Sequence, residues 1–122
     1  MIKGKDTGGI DAFLGKNTTF QGTLIFDGLV RIDGNFEGNI KTEDTLVIAG
    51  SGNVKAEIDA GDVKISGRFD GTIVAKSKVE LYKPAFVTGT VITPVLKIEE
   101  GVVFNGNCRM AEDSVSYKSE EE

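Results

Sequence analysis

Between Thr18 and Met110 short runs of alternating apolar and polar residues recur about six times. One copy reads Gly34-Asn35-Phe36-Glu37-Gly38-Asn39-Ile40-Lys41-Thr42-Glu43-Asp44-Thr45-Leu46-Val47-Ile48. The copies align as five columns. The first is Phe20, Phe36, Val54, Phe69, Val87 and Phe104. Two residues later stands a small residue: Gly22, Gly38, Ala56, Gly71, Gly89 and Gly106. Two later again come Leu24, Ile40, Ile58, Ile73, Val91 and Cys108. Past a polar bridge follow Val30, Leu46, Val63, Val79 and Leu96, and then Ile32, Ile48, Ile65, Leu81 and Ile98. The small column advances by 16, 18, 15, 18 and 17 residues. Within each run the period is two, that of a half-buried strand.

A unit of this length is too short for a helix-pair repeat and fits one coil of a parallel β-solenoid. The pattern predicts an all-β chain of about six coils, each with three short strands and three bends. Stacked at roughly 4.8 Å per strand, like residues form ladders. The small column is expected to point inward by parity and to ease a tight bend. Outside, Arg31, Val47, Lys64, Glu80 and Lys97 form one column with opposite charges on some neighbouring coils. Pro84 and Pro94 belong at corners, because proline donates nothing to a ladder. Gly50-Ser51-Gly52-Asn53 reads as a lengthened corner. The chain then divides into residues 1–17, polar at first with an apolar patch at Ile10–Leu14; residues 18–110, the β-helix; and residues 111–122, polar, acidic and without period. Both termini are expected to be disordered.

Composition narrows the function classes. The 122 residues suffice for one domain, and the columns offer about thirty inward positions. At roughly 1.5–3 kcal/mol per large buried apolar side chain these build a core. Net charge is −5, but Glu112, Asp113, Glu120, Glu121 and Glu122 against Lys118 place −4 of it after Met110. The remaining body, near −1, has no basic field for nucleic acid. No apolar run approaches a membrane span, and Ile10–Leu14 is too short for a secretory signal, so a cytoplasmic protein is expected.

Catalytic chemistry is absent from this reading. The chain has no His, and its one Cys, Cys108, falls in an inward aliphatic column, where a packed, inert thiol is expected. The carboxylates scatter over outward positions. Gly9 to Asn17 imitates a phosphate-binding loop, yet its glycines are spaced by five residues and Asn17 replaces the hydroxyl that would hold magnesium. No catalytic, cofactor or metal site is assigned. The ends carry more information. The last coil holds Val102, Val103, Phe104, Cys108 and Met110, with no amphipathic helix after it. An uncapped coil presents strand edges and an apolar cross-section to another chain. The alternative is a monomer capped by its tail or by Ile10–Leu14.

Phe13-Leu14-Gly15, then Thr19-Phe20-Gln21-Gly22-Thr23-Leu24, then Val30-Arg31-Ile32-Asp33-Gly34-Asn35-Phe36-Glu37-Gly38 resembles the bactofilins, polymer-forming bacterial cytoskeletal proteins. The resemblance covers roughly residues 10–110. It implies a right-handed triangular parallel β-helix that polymerises without nucleotide, with itself as partner, head-to-head and tail-to-tail. It implies organisation of cell-wall enzymes and cell shape at the inner membrane. By position it implies polymerisation contacts at Phe13, Leu14 and Phe20 and at Val103 and Phe104, and a membrane contact at Met1, Ile2 and Lys3. Two other readings stand beside this scaffold. A β-helix enzyme of the acyltransferase kind is disfavoured by irregular steps and the lack of His. A β-solenoid binding module that does not polymerise is the main alternative.

Overall fold

A computed structural model describes residues 10–110, which form strands joined by short connections, with no helix. Residues 1–9, with Met1, Ile2 and Lys3, and the tail 111–122 lie outside the described residues, whereas Ile10–Leu14 of the expected flexible segment is a strand paired with the first coil. The strands are β1 (Ile10–Leu14), β2 (Thr19–Phe26), β3 (Leu29–Ile32), β4 (Asn35–Thr42), β5 (Thr45–Ile48), β6 (Asn53–Ile65), β7 (Arg68–Leu81), β8 (Phe86–Thr93), β9 (Leu96–Ile98) and β10 (Val103–Met110).

Every pairing is parallel, as a solenoid requires. One ladder runs β2, β4, the first part of β6, the first part of β7, β8 and β10. The other runs β1, β3, β5, the end of β6, the end of β7 and β9. The first ladder bends at its small column and so supplies two faces of each coil; the second supplies the third. Register follows the sequence columns: Phe20 lies beside Phe36, then Val54, Phe69, Val87 and Phe104. The four large apolar columns of coils two to four are buried together with Val87 and Val91.

The small column departs from expectation. Gly22, Gly38, Gly71 and Gly89 have φ of 138°, 141°, 143° and 126°, a region that L side chains avoid. A Cβ on Gly38, Gly71 or Gly89 would run along the solenoid axis into the carbonyl of Gly22, Ala56 or Gly71 on the preceding coil. These glycines therefore sit at a corner, and axial stacking, more than inward packing, forbids a side chain. Ala56 alone turns its methyl into the core.

A further inward column is Phe26, Thr42, Ala60, Ala75, Thr93 and Met110, continuing the alternation two residues past the aliphatic column. Its two interior threonines turn the next corner. Thr42 Oγ1 accepts from the Asp44 N–H at 3.0 Å, and Thr93 Oγ1 donates to the Val95 carbonyl at 3.0 Å. Their hydroxyls are thus satisfied inside an apolar core. Pro84 and Pro94 lie in bends, as predicted, and the Lys83–Pro84 bond is cis.

These corners generate a paired prediction. Gly89→Ala is expected to destabilise the fold by at least about 1–3 kcal/mol, the scale of one residue held in a disallowed region. Gly50→Ala, with open space around it, is expected to stay within about 0.5 kcal/mol. Denaturant midpoints measure both, and equal shifts would overturn the axial-stacking account.

Candidate functional site at the two ends

The solenoid begins and ends unevenly. Among the described residues, β2 at the N-terminal end is paired only with β4 and β1 only with β3, so each has an edge that no described strand covers. At the other end, again among the described residues, β10 is paired only with β8 and β9 only with β7. Each end thus combines unpaired backbone groups with the cut face of the core.

The N-terminal face is aromatic. Phe20 stacks on Phe36 with ring centroids 5.1 Å apart and planes 6° from parallel. Leu14, Phe20, Leu24 and Phe26 are partly buried against the core. Phe13 lies on the opposite side of β1 from Leu14, beside Arg31, whose guanidinium sits 6.0 Å from its ring. That guanidinium is oriented by Asp33, with Nε to Oδ1 at 2.7 Å and Nη2 to Oδ2 at 3.2 Å. The hydrogen bond and the charge of Asp33 both push the Arg31 pKa up. Of the residues singled out at this end, Leu14 and Phe20 share the core-side surface and Phe13 forms its outer rim.

The C-terminal face is more open. Phe104 closes the phenylalanine column and is partly buried, whereas its neighbour Val103 points out and is 48% exposed. Met110 is 57% exposed and Ile98 44%. Cys108 is exposed, which corrects the expectation of a packed thiol. Its column is inward, but among the described residues no further coil lies beyond it. The sulfur rests 3.7 Å from Met110 Sδ, and desolvation pushes the thiol pKa up, so it stays protonated at neutral pH. Leu24 and Phe26 at one end and Ile98 at the other escaped sequence reading as end-face residues, whereas Met110 was already placed in the uncapped last coil. Their signal was membership of a terminal coil, where an inward column is also an end face.

The flanks offer little chemistry. Among the described residues no three His, Cys, Asp or Glu side chains gather to hold a metal. An open depression of about 430 Å³ is lined by the Gly50–Asn53 bend, Gly67, Arg68, Pro84 and Phe86. The Arg68 guanidinium covers the Phe86 ring at 4.8 Å, and Ser51 Oγ donates to the Asp33 carbonyl at 2.8 Å. No nucleophile with a base is found there. Elsewhere Lys64 lies 3.8 Å from Glu80 on the next coil, in keeping with the opposite charges of that column, and Lys78 lies 3.8 Å from Glu80 along the same strand. Glu80 also accepts a side-chain hydrogen bond from Tyr82, which raises that phenol's pKa.

The bactofilin family model, described as polymer-forming cytoskeletal, matches residues 12–109. The chain belongs to the bactofilin family. Bactofilin BacO of Myxococcus xanthus is 36% identical over 100 residues, covering 77% of this chain and 79% of that protein. Bactofilin BacP of the same organism is 29% identical over 99 residues, covering 81% of this chain and 41% of that longer protein. The solid-state NMR structure of the cytoskeletal bactofilin BacA is similar with a TM-score of 0.72 and 30% identity, over 80% of this chain and 93% of that one. The fold is thus the bactofilin β-solenoid, and the family is one of cytoskeletal polymers.

The corrected position of Cys108 is checked by thiol labelling. In dilute native protein a soluble maleimide is expected to modify Cys108 completely without denaturant. Labelling that appears only on unfolding would restore the packed thiol.

Proposed function

We propose that this bactofilin assembles end to end, without nucleotide, into non-polar filaments that serve as a cytoplasmic scaffold. The observation that carries the reading is that, among the described residues, both ends of the solenoid are open, with unpaired parallel edges flanking an apolar cross-section. Burying such a face removes apolar area from water at roughly 25 cal/mol per Å² and satisfies edge N–H and C=O groups together. Contacts at one end are Leu14 and Phe20, with Phe13 at the rim; at the other they are Val103 and Phe104, joined by Met110. Like ends meet, head-to-head and tail-to-tail. Two different two-fold contacts in alternation propagate, where either alone closes as a dimer.

Membership of a polymer-forming family supports self-assembly. The finer parts of the proposal rest on the family resemblance. They are peripheral attachment to the inner face of the cytoplasmic membrane through Met1, Ile2 and Lys3, and organisation of cell-wall-modifying proteins and cell shape. Those three residues lie outside the described ones.

Electron microscopy of the purified chain with no nucleotide is expected to reveal filaments a few nanometres wide. Phe104→Arg places a charge in the contact and is expected to abolish pelleting while the β-sheet circular dichroism persists. Met110→Arg, at a side chain already largely exposed, is expected to weaken pelleting without lowering subunit stability by more than about 0.5 kcal/mol. Folded variants that both sediment like the parent would overturn this assignment of the end contact.

A further inference from the structure

The bends that lead from the third face to the first differ in length. Residues 49–52 and residues 82–85 each form a bend of four, whereas Ser66-Gly67 between them forms a bend of two. The short bend into coil four is therefore flanked by two longer ones, and the depression of about 430 Å³ opens over it as a notch. Both walls are closed turns. The Gly52 N–H donates to the Ala49 carbonyl at 2.8 Å and the Ala85 N–H to the Tyr82 carbonyl at 2.9 Å, and Ser51 Oγ is tied to the Asp33 carbonyl. The floor is bare backbone, since a Cβ on Gly67 would meet the carbonyls of Ala49 and Gly52.

Two polar side chains on this notch are unspent. Asn53, Arg68 and Phe86 stand in one outward column, in register on coils three, four and five. The Phe86 ring, 4.8 Å from the Arg68 guanidinium, holds that group by its face and leaves its N–H edges free. Among the described residues no carboxylate pairs with Arg68, and no hydrogen bond engages the Asn53 side-chain amide. Other cations of the flanks are matched: Arg31 with Asp33, Lys41 with Asp59, and Lys64 and Lys78 with Glu80. Asp70, the acid two residues along β7 from Arg68, lies beside Lys55 in register.

We propose that this notch binds an extended acidic peptide segment of a partner protein. Arg68 receives one Asp or Glu carboxylate, and Asn53 receives the adjoining peptide group. The guanidinium edge offers two parallel N–H donors, the geometry that a carboxylate fits. The Asn53 amide is donor and acceptor at once, as a peptide group is. Thickness selects the extended form. The walls stand two strand spacings apart, about 9.6 Å between backbones, so the layer missing between them is one strand thick. A helix, about 10–12 Å across, is too wide for that place. The site lies on the flank of coils three to five, apart from Leu14, Phe20 and Phe104, so binding does not require assembly. A filament would carry one notch per subunit and hold a multivalent partner by avidity, a consequence that rests on the proposed end-to-end assembly.

The probe is a fluorescent peptide, Thr-Val-Glu-Val-Thr, β-branched to favour the extended form and blocked at both termini, titrated with the full chain by anisotropy. The parent is expected to bind it with a Kd of about 1 mM or tighter, and its Gln counterpart at least about tenfold more weakly, through loss of the charge-assisted pair. Arg68→Gln is expected to cost the same factor of about ten. Phe86→Ala keeps the charge but removes its platform, and is expected to cost at least about threefold. Lys55→Gln, an equal change of charge outside the notch, is expected to stay within about twofold. Circular dichroism checks that each variant is folded. Equal losses in Arg68→Gln and Lys55→Gln would reduce the effect to diffuse charge. Inorganic phosphate that displaces the peptide at equal concentration would reduce the site to one for bare anions. Either result, or no binding to the parent, would overturn the proposal. Anisotropy reads bound peptide whether or not filaments form.

Discussion

The structure depends on an in-register parallel backbone ladder. Each coil must place its residues over those of the coil before it, because a parallel strand pairs along its whole length at one spacing. That requirement repeats each side-chain column from coil to coil. It sets Phe20 face to face with Phe36, and it piles Val30, Leu46, Val63 and Val79 into one buried stack. It also makes glycine obligatory at those corners where φ is positive. With the preceding carbonyl directly above, Gly71 and Gly89 have no room for a Cβ whatever the rest of the core contains. The repeat tolerates bends of different length, since only strands are held to register. The bends Ser66-Gly67 and Tyr82-Lys83-Pro84-Ala85 occupy equivalent corners.

The same ladder explains why function concentrates at the ends. Along the flanks the strands pair with those of the next coil, and most outward side chains are charged or polar. Pairs such as Lys41–Asp59, 4.0 Å apart on an exposed face, contribute at most about 0–1 kcal/mol. Ile25 and Val95 are exposed on the sides singly, and Val74 only beside Ile92, so they form no large apolar patch. Only at the first and last coils do unpaired edges and a section through the core coincide. A linear repeat has no means of closing on itself, so it is capped by added structure or by another chain.

Much of this was legible in the sequence. The period-two alternation and the coil length led to a parallel solenoid, and the columns anticipated the observed pairing in nearly every coil. Phe104 and Phe20 were recognisable as end residues because they open the first and last copies. Other features were hidden. Thr42 and Thr93 concealed an inward column, because a threonine there reads as a surface residue until its hydroxyl is seen to turn a corner. Parity suggested an inward glycine, but parity fails where φ is positive. Cys108 shared a column with Ile40 and Val91, yet column membership says nothing of whether a further coil covers it.

By itself the sequence determined local strand parity, coil length and the identity of the stacked side chains, because alternation and repetition are properties of order along the chain. Tertiary structure decided what each position faces. The direction of a Cβ at a corner, the exposure of an inward residue on a terminal coil and the side on which Phe13 stands all depend on the coil above or below. Those neighbours lie some fifteen to eighteen residues away in the chain but one strand spacing away in space.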